Sequence, residues 1–415
     1  SRHDWARRLG ARGLTAAGFE EQERGGRPFV LTDVVGPDFA SWWCGEVAGR
    51  LRAEPVHFVD GDGATGRRTM MAGVFGTVAD ECRRLSDRGR YAYLQTDLLP
   101  GKAPELAGAL QRNLPEPLPA GEGDLFGHWP RGLRPAALSL TVAGAGARTQ
   151  LACDGLGAPQ WHLCLAGHAR VKLLPGEDPD RLRPLEPRAE PFGICDEAGR
   201  PLFDVCNHLA SDVDLFAAEL VHYTPASHLD AFGPDTGRWP EALRLPRAGE
   251  VLLGPGEMLV LPGGGWWAQC YFDEASWAVS SQYLGPRSLD RVLRGALEHS
   301  GVEAGEIFAL DAMPPEQRID AVLAAVLGSK GHGDGHALLE WLRRRDAWAH
   351  QNEAEGGAGG GGGPGGGAAG APPVCGVCGR PATTKCGRCK GLWLCGAECQ
   401  RRSWPEHRKV CVRAR

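Results

Sequence analysis

Seven cysteines and one histidine near the C-terminus stand at metal-ligand spacing. The run is Cys375-x2-Cys378-x7-Cys386-x2-Cys389-x5-Cys395-x3-Cys399-x7-His407-x3-Cys411. A Cys-x2-Cys knuckle turns two thiolates toward one point, where a tetrahedral zinc holds them at about 2.3 Å, and the Cys-x3-Cys and His-x3-Cys pairs suit one turn of helix. Eight donors serve two zinc ions. In a segment this short the metal supplies most of the folding free energy, on the order of 10 kcal/mol per site.

The whole spacing resembles the MYND family of zinc fingers, ligand for ligand. The resemblance implies interleaved, cross-braced pairing, with Cys375, Cys378, Cys395 and Cys399 on one zinc and Cys386, Cys389, His407 and Cys411 on the other. MYND fingers that bind co-repressors take short proline-rich peptides in a groove whose Gln and Trp follow the sixth ligand in a Cys-Gln-x3-Trp run. This sequence has Cys399, Gln400, Arg401, Arg402, Ser403 and Trp404 there, so Gln400 and Trp404 are the implied peptide-binding residues. A Trp face suits a preformed polyproline segment, which loses little entropy on docking. Two other readings stand beside this one: Trp404 covers the second zinc, or the finger is structural and has no partner. Trp393 reads as a core residue between the two sites.

A second set of residues lies far upstream. Thr149-Gln150-Leu151-Ala152-Cys153-Asp154 is followed by Gly167-His168-Ala169 and a strand ending at Pro175. Later come Gly256-Glu257-Met258-Leu259-Val260-Leu261-Pro262 and Gly265-Trp266-Trp267-Ala268, with Asp230, Pro234, Asp235 and Trp239-Pro240 between the two stretches. These resemble the JmjC (cupin-like) oxygenases, over about 260 residues from near Arg27 to Pro286. The resemblance implies a double-stranded β-helix. It also implies an Fe(II) site of two His and one carboxylate, with open positions for 2-oxoglutarate and oxygen. Residue by residue, Thr149 and Asp154 are kept as a remnant oxygenase site, but both His positions are Ala152 and Ala268, and the co-substrate Lys is Ala169. Strand alternation turns Arg170 and Lys172 away from the face of residue 169, and Cys153 away from that of Asp154. Fe(II) and 2-oxoglutarate are therefore not expected cofactors. His162 and His168 are the nearby imidazoles that would have to rescue the site. His228-Leu229-Asp230 has the right form in the wrong place, only 38 residues before Ala268. Asn207-His208 resembles one fragment of SET methyltransferases without the rest of their motifs.

The elements that must carry these residues fall into blocks. Residues 1–286 alternate short β-rich runs with Gly, Pro and Asp turns: Pro28–Val34, Ala137–Val142, Val171–Leu174, Val251–Leu253 and Met258–Leu261. Such runs predict a sandwich or barrel; with the resemblance the expected fold class is mainly β with α, a jelly-roll (double-stranded β-helix) domain with helical flanks. Residues 287–352 form a helical extension, with apolar residues at helical spacing over Ser288–His299, Pro314–Leu327 and His336–Trp348. Residues 353–373 are a Gly-rich flexible linker, spanning roughly 20–25 Å as a coil over its central ~15 residues, and 374–411 are the finger. The linker tethers the finger rather than docking it.

Charge and cysteine usage narrow the partners. The 415 residues carry a net charge of −5, but residues 371–415 hold ten Lys/Arg against Glu398 and Glu406, a side-chain charge of +8 that leaves −13 for the rest. Seven thiolates and two dications bring the folded finger to about +5. A module this basic can meet nucleic acid or an acidic protein, but its thiolates weaken that case, and a proline-containing protein segment is the expected partner. Cys44, Cys82, Cys153, Cys164, Cys195, Cys206 and Cys270 are scattered without a disulfide framework, so a reducing compartment, cytoplasm or nucleus, is expected. No apolar run reaches the ~18 residues of a membrane span. The chain begins at Ser1 without a methionine, which leaves room for a lost targeting segment.

The expected function is a zinc-binding adaptor or regulatory protein whose oxygenase-like domain is a non-catalytic scaffold. The alternative is an Fe(II)/2-oxoglutarate-dependent protein hydroxylase or demethylase with non-standard ligands. A third reading keeps the pocket for a small ligand that is not turned over.

Overall fold

The computed structural model describes residues 5–62, 67–84, 90–116, 118, 124–130, 133–134, 138–176, 188–190, 194–195, 201–203, 208–216, 248–302, 313–329, 334–340, 342–344, 346–347, 384–386, 393–394, 396–401 and 404. The architecture is mixed α/β, built on two large sheets, neither of which closes into a barrel. In chain order the N-terminal part runs β1 (Arg7–Gly10), α1 (Ala16–Arg24), β2 (Phe29–Thr32), α2 (Pro37–Arg50), β3 (Pro55–Asp62), β4 (Arg67–Val74), α3 (Phe75–Arg84), β5 (Arg90–Thr96), α4 (Leu98–Lys102) and α5 (Pro104–Gln111). Then come β6 (Ser139–Ala143), β7 (Leu151–Asp154), β8 (Gln160–Ala166), β9 (Ala169–Leu174), β10 (Arg188–Glu190), β11 (Ile194–Cys195), β12 (Pro201–Phe203) and β13 (His208–Ser211). The body ends with β14 (Gly249–Leu253), β15 (Met258–Leu261), β16 (Trp267–Phe272), β17 (Ser276–Gln282), α6 (Leu289–His299) and α7 (Pro315–Ser329).

The nine-stranded sheet has the order β1-β2-β15-β8-β17-β6-β5-β3-β4, and the six-stranded sheet β10-β13-β7-β16-β9-β14. Successive strands β6, β7, β8 and β9 alternate between the two sheets, and β15, β16 and β17 do so again. The sheets face one another through Val30, Cys164, Leu259 and Leu261 on one side and Val171, Leu173, Val251 and Leu253 on the other. The opposite face of the large sheet (Leu140, Val142, Trp161, Leu163, Leu165, Val279) is covered by α1, α2, α3 and α5 through Phe19, Trp43, Val47, Val78 and Leu110. With both faces of its central strands buried, that sheet reads as apolar runs, not as strict alternation. The buried indole of Trp43 donates to Leu106 O at 2.8 Å and locks α2 to α5.

Helices α6 and α7 pack on the body. Leu289, Val292, Leu293, Ile319, Val322, Leu323 and Leu327 share a core with Leu125, Phe126, Trp129, Leu156 and Leu284. Asp124 ties that core to the sheet, since its carboxylate accepts from Phe126 N at 3.0 Å and from Leu284 N at 2.8 Å.

Two turns fix the ends of β9. Gly167, between β8 and β9, has φ +76°, and a Cβ there would lie 2.2 Å from Ser276 Oγ and 2.7 Å from Ala275 O. Gly176, just past β9, lets the chain press against the Gly264-Gly265 turn, where a Cβ would meet Gly265 O at 2.0 Å. Among the described residues no helix is long and apolar enough to cross a membrane.

Candidate functional site

The described part of the finger begins with a small hairpin, β18 (Thr384–Lys385) against β19 (Trp393–Leu394), antiparallel with Thr384 opposite Leu394 and Lys385 opposite Trp393. Cys386 follows β18 directly and is buried. Residues 397–401 are helical, closed at their start by Gln400 N donating to Gly396 O at 3.1 Å. On this turn Cys399 is buried while Glu398, Gln400 and Arg401 face solvent. Trp404, four residues beyond Gln400 and also helical, is 40% exposed. Residues four apart on a helix share a face, so Gln400 and Trp404 lie on one exposed side, with Cys399 turned inward. An indole this exposed is not a core side chain. Cys375, Cys378, Cys389, Cys395, His407 and Cys411 lie outside the described residues, as does the side chain of Trp393.

Outside the finger, burial pushes the thiols of Cys44, Cys82, Cys164 and Cys270 up to about 12, and it raises that of Cys153 as well. These are packing residues. Cys195 and Cys206 carry no description of their side chains.

The upstream motif converges as its strands require. Ala152 and Ala268 are direct cross-strand neighbours on β7 and β16, and Ala268 pairs with Leu173 on β9. Ala268 packs with Val171 and Leu173 in the inter-sheet core, so both alanines face the large sheet. Leu151, Cys153, Leu174 and Trp267 belong to the core on the opposite side, so Cys153 faces away from Ala152. Asp154 is buried, accepts from Ala158 N at 2.7 Å, and takes a short hydrogen bond from Gln282 Nε2. Thr149 Oγ1 accepts from Cys270 N at 2.9 Å. Lys172 is on the far side of the sheet, donating to Leu215 O at 2.9 Å, and Arg170 bonds Asp273 at the edge.

His162, on β8, alternates with Trp161 and Leu163 of the helix-covered core and so faces between the sheets. Its Nε2 is buried without a hydrogen-bond partner, and burial brings the ring down to about 4, neutral near pH 7. Ala152, Ala268, Cys270, His162, Ser280 and Gln282 all keep some accessible surface, while Cys153, Trp267 and Val279 beside them are buried. The space between the sheets at this end is therefore not filled. His168 is elsewhere. It is exposed on the β8–β9 turn, bonds Glu274, and borders an outer groove of about 380 Å³ with Arg8, Asp33 and Glu257. His208 lies on β13, its backbone in register with Asp154; Asn207, His228 and Asp230 lie outside the described residues.

Ala152 and Ala268 offer only methyl groups at this end of the sheet, and both Asp154 oxygens accept hydrogen bonds. Zinc fits the C-terminal donor set, of which Cys386 and Cys399 are buried. Residues 375–411 match the family model of the MYND finger, a zinc-binding module of protein–protein interaction.

Proposed function

We propose that this chain is a zinc-dependent adaptor whose finger captures a proline-containing peptide on the Gln400–Trp404 face. The observation that carries the reading is the exposed, same-sided placement of Gln400 and Trp404 on the turn whose Cys399 points inward. Two zincs in the interleaved pairing, Cys375/Cys378/Cys395/Cys399 and Cys386/Cys389/His407/Cys411, would fix that turn against the hairpin. The indole then offers a rigid flat surface, and the Gln amide reads a backbone carbonyl or N–H of an extended peptide. Such zinc thiolates require a reducing compartment, cytoplasm or nucleus.

The N-terminal body serves as a scaffold in this reading. We infer that β6–β9 and β14–β17 wind as a double-stranded β-helix of the JmjC-like kind. Support comes from strands that alternate between sheets and from the pairings β6–β17, β7–β16, β8–β15 and β9–β14. That the fold has lost its chemistry is supported by Ala152, Ala268 and Ala169 in the ligand and co-substrate positions, and by an Asp154 turned to Gln282.

The test is a proline-scanning peptide array probed with the full, zinc-loaded chain, followed by titration of the best peptide. Trp404→Ala is expected to weaken binding tenfold or more, as truncation of a central aromatic anchor does, with zinc content unchanged. Equal affinity for Trp404→Ala would contradict the groove, and the absence of any bound peptide would contradict the adaptor reading itself.

A further inference from the structure

The six-stranded sheet buries charge on the face turned away from its partner sheet. Lys172 and Gln269 are cross-strand neighbours there, both sealed from solvent, and residues 211–216 lie across them. Gln269 fastens that segment with both ends of its amide. Its Oε1 accepts from Leu215 N at 2.7 Å, and its Nε2 donates to Asp214 Oδ1 at 3.1 Å and Thr149 O at 3.0 Å. Lys172 Nζ sits 4.5 Å from the centre of the Phe216 ring, which stacks on Tyr271. Arg148, 2% exposed, lies beside the same Tyr271 and puts Nη1 2.6 Å from Asp214 Oδ2.

One edge of that guanidinium is left over. Nε and Nη2 of Arg148 are buried, and neither meets an acceptor. These two atoms form the side-on fork of arginine, whose parallel N–H bonds match the two oxygens of a carboxylate or phosphate-like anion. Asp214 cannot fill the fork. Its Oδ2 is on Nη1, and its Oδ1 already accepts from Gln269 and from Phe216 N at 2.9 Å. A second guanidinium stands close by: Arg68 donates from Nη2 to Thr149 O at 3.1 Å, bonds Tyr91, and lies within electrostatic reach of Asp214. Buried donors in native proteins are almost always matched. An open fork on a buried cation, among neighbours that are matched, marks a missing acceptor.

We propose that the Arg148 fork is an anion site, taking a small molecule that presents two oxygens from one carboxylate or one tetrahedral oxyanion, held beneath residues 211–216. It is separate from the inter-sheet space around Asp154, since Arg148 acts on the opposite face of the same sheet. Neither fork atom reaches solvent, so entry requires residues 211–216 to lift, and a bound anion holds that segment down. The anion therefore stabilises the native body, because it binds the folded state alone.

The experiment is thermal unfolding of the full zinc-loaded chain in sodium acetate, sodium sulfate and sodium chloride at matched ionic strength. Acetate probes the carboxylate source and sulfate the oxyanion source. One of them is expected to raise the melting temperature of the body in a saturable way beyond chloride. Arg148→Lys, which keeps the charge and lacks the fork, is expected to lose that rise. No saturable rise with either anion would overturn the site, and is the result if a buried water fills the fork. The same rise in Arg148→Lys would overturn it too. Should Arg148→Lys fail to fold, hydrogen exchange of the Arg148 Nε–H in the unaltered chain decides. Slowing of tenfold or more by the effective anion supports the proposal, and an unchanged rate overturns it.

Discussion

At the scale of single residues, burial rather than pairing sets the unusual titrations. Asp124 is pushed up to about 6 by burial, against the hydrogen bonds from Leu284 and Phe126 and the charge of Arg134. His162 is brought down to about 4 by burial. The signs are opposite. Between about pH 4 and 6 the folded chain holds the Asp124 proton more tightly than the unfolded chain, so this group's contribution to stability falls as the pH rises. His162 stays neutral in the fold while the unfolded ring charges below about 6.5, so its contribution is lost as the pH falls toward 4. Denaturant melts from pH 4 to 7 should separate them. Asp124→Asn is expected to remove a loss of stability with rising pH, and His162→Gln a loss with falling pH, each on the order of 1–3 kcal/mol over the window. Parallel pH profiles for the two variants would show that neither group titrates as described. Residue identities at the remnant site were legible in sequence, because strand alternation decides which side chains meet. The Arg148 network was not: Arg148 and Asp214 lie 66 residues apart and Gln269 and Thr149 lie 120 apart, so no local pattern links them.

Among the elements, turns and amphipathic helices were the readable parts. The apolar run Met258–Leu261 is β15 to the residue. The stripe Ile319, Val322, Leu323, Val326 and Leu327 is the buried face of α7, as helical periodicity requires. Helical flanks were expected, but the positions of α2 to α5 within the β-rich N-terminal block were not read. α2 carries Gly45 and Gly49 and has the exposed Trp42 beside the buried Trp43, so its pattern is blurred; α4 has only 5 residues and α5 only 8. Their helicity comes from packing on the large sheet, which no short window of sequence contains. Gly167 is the turn most open to test. Alanine there must adopt a left-handed φ and crowd Ser276, so Gly167→Ala is expected to cost about 1–3 kcal/mol. The check is urea unfolding against an exposed control such as Gly45→Ala, where a Cβ meets nothing within 4 Å. Equal stability of the two variants would mean the β8–β9 turn is not held as tightly as its contacts imply.

For the whole molecule, two kinds of stability lie along one chain. The body rests on large apolar cores between and behind its sheets. The finger, with few residues to bury, rests on metal. The zinc array could be read directly from spacing because each ligand pair is local, within three or four residues. The docking of α6 and α7 onto Leu125 and Trp129 could not, because those partners lie far upstream in sequence. We propose that the finger is the metal centre of this molecule and that the body holds no iron. Elemental analysis of the full chain tests it directly, after purification under reducing conditions and anaerobic incubation with Fe(II) and 2-oxoglutarate. The account predicts two zinc ions per chain and no retained iron, with zinc lost on Cys386→Ser and unaffected by Asp154→Ala. One iron per chain that Asp154→Ala removes would contradict it.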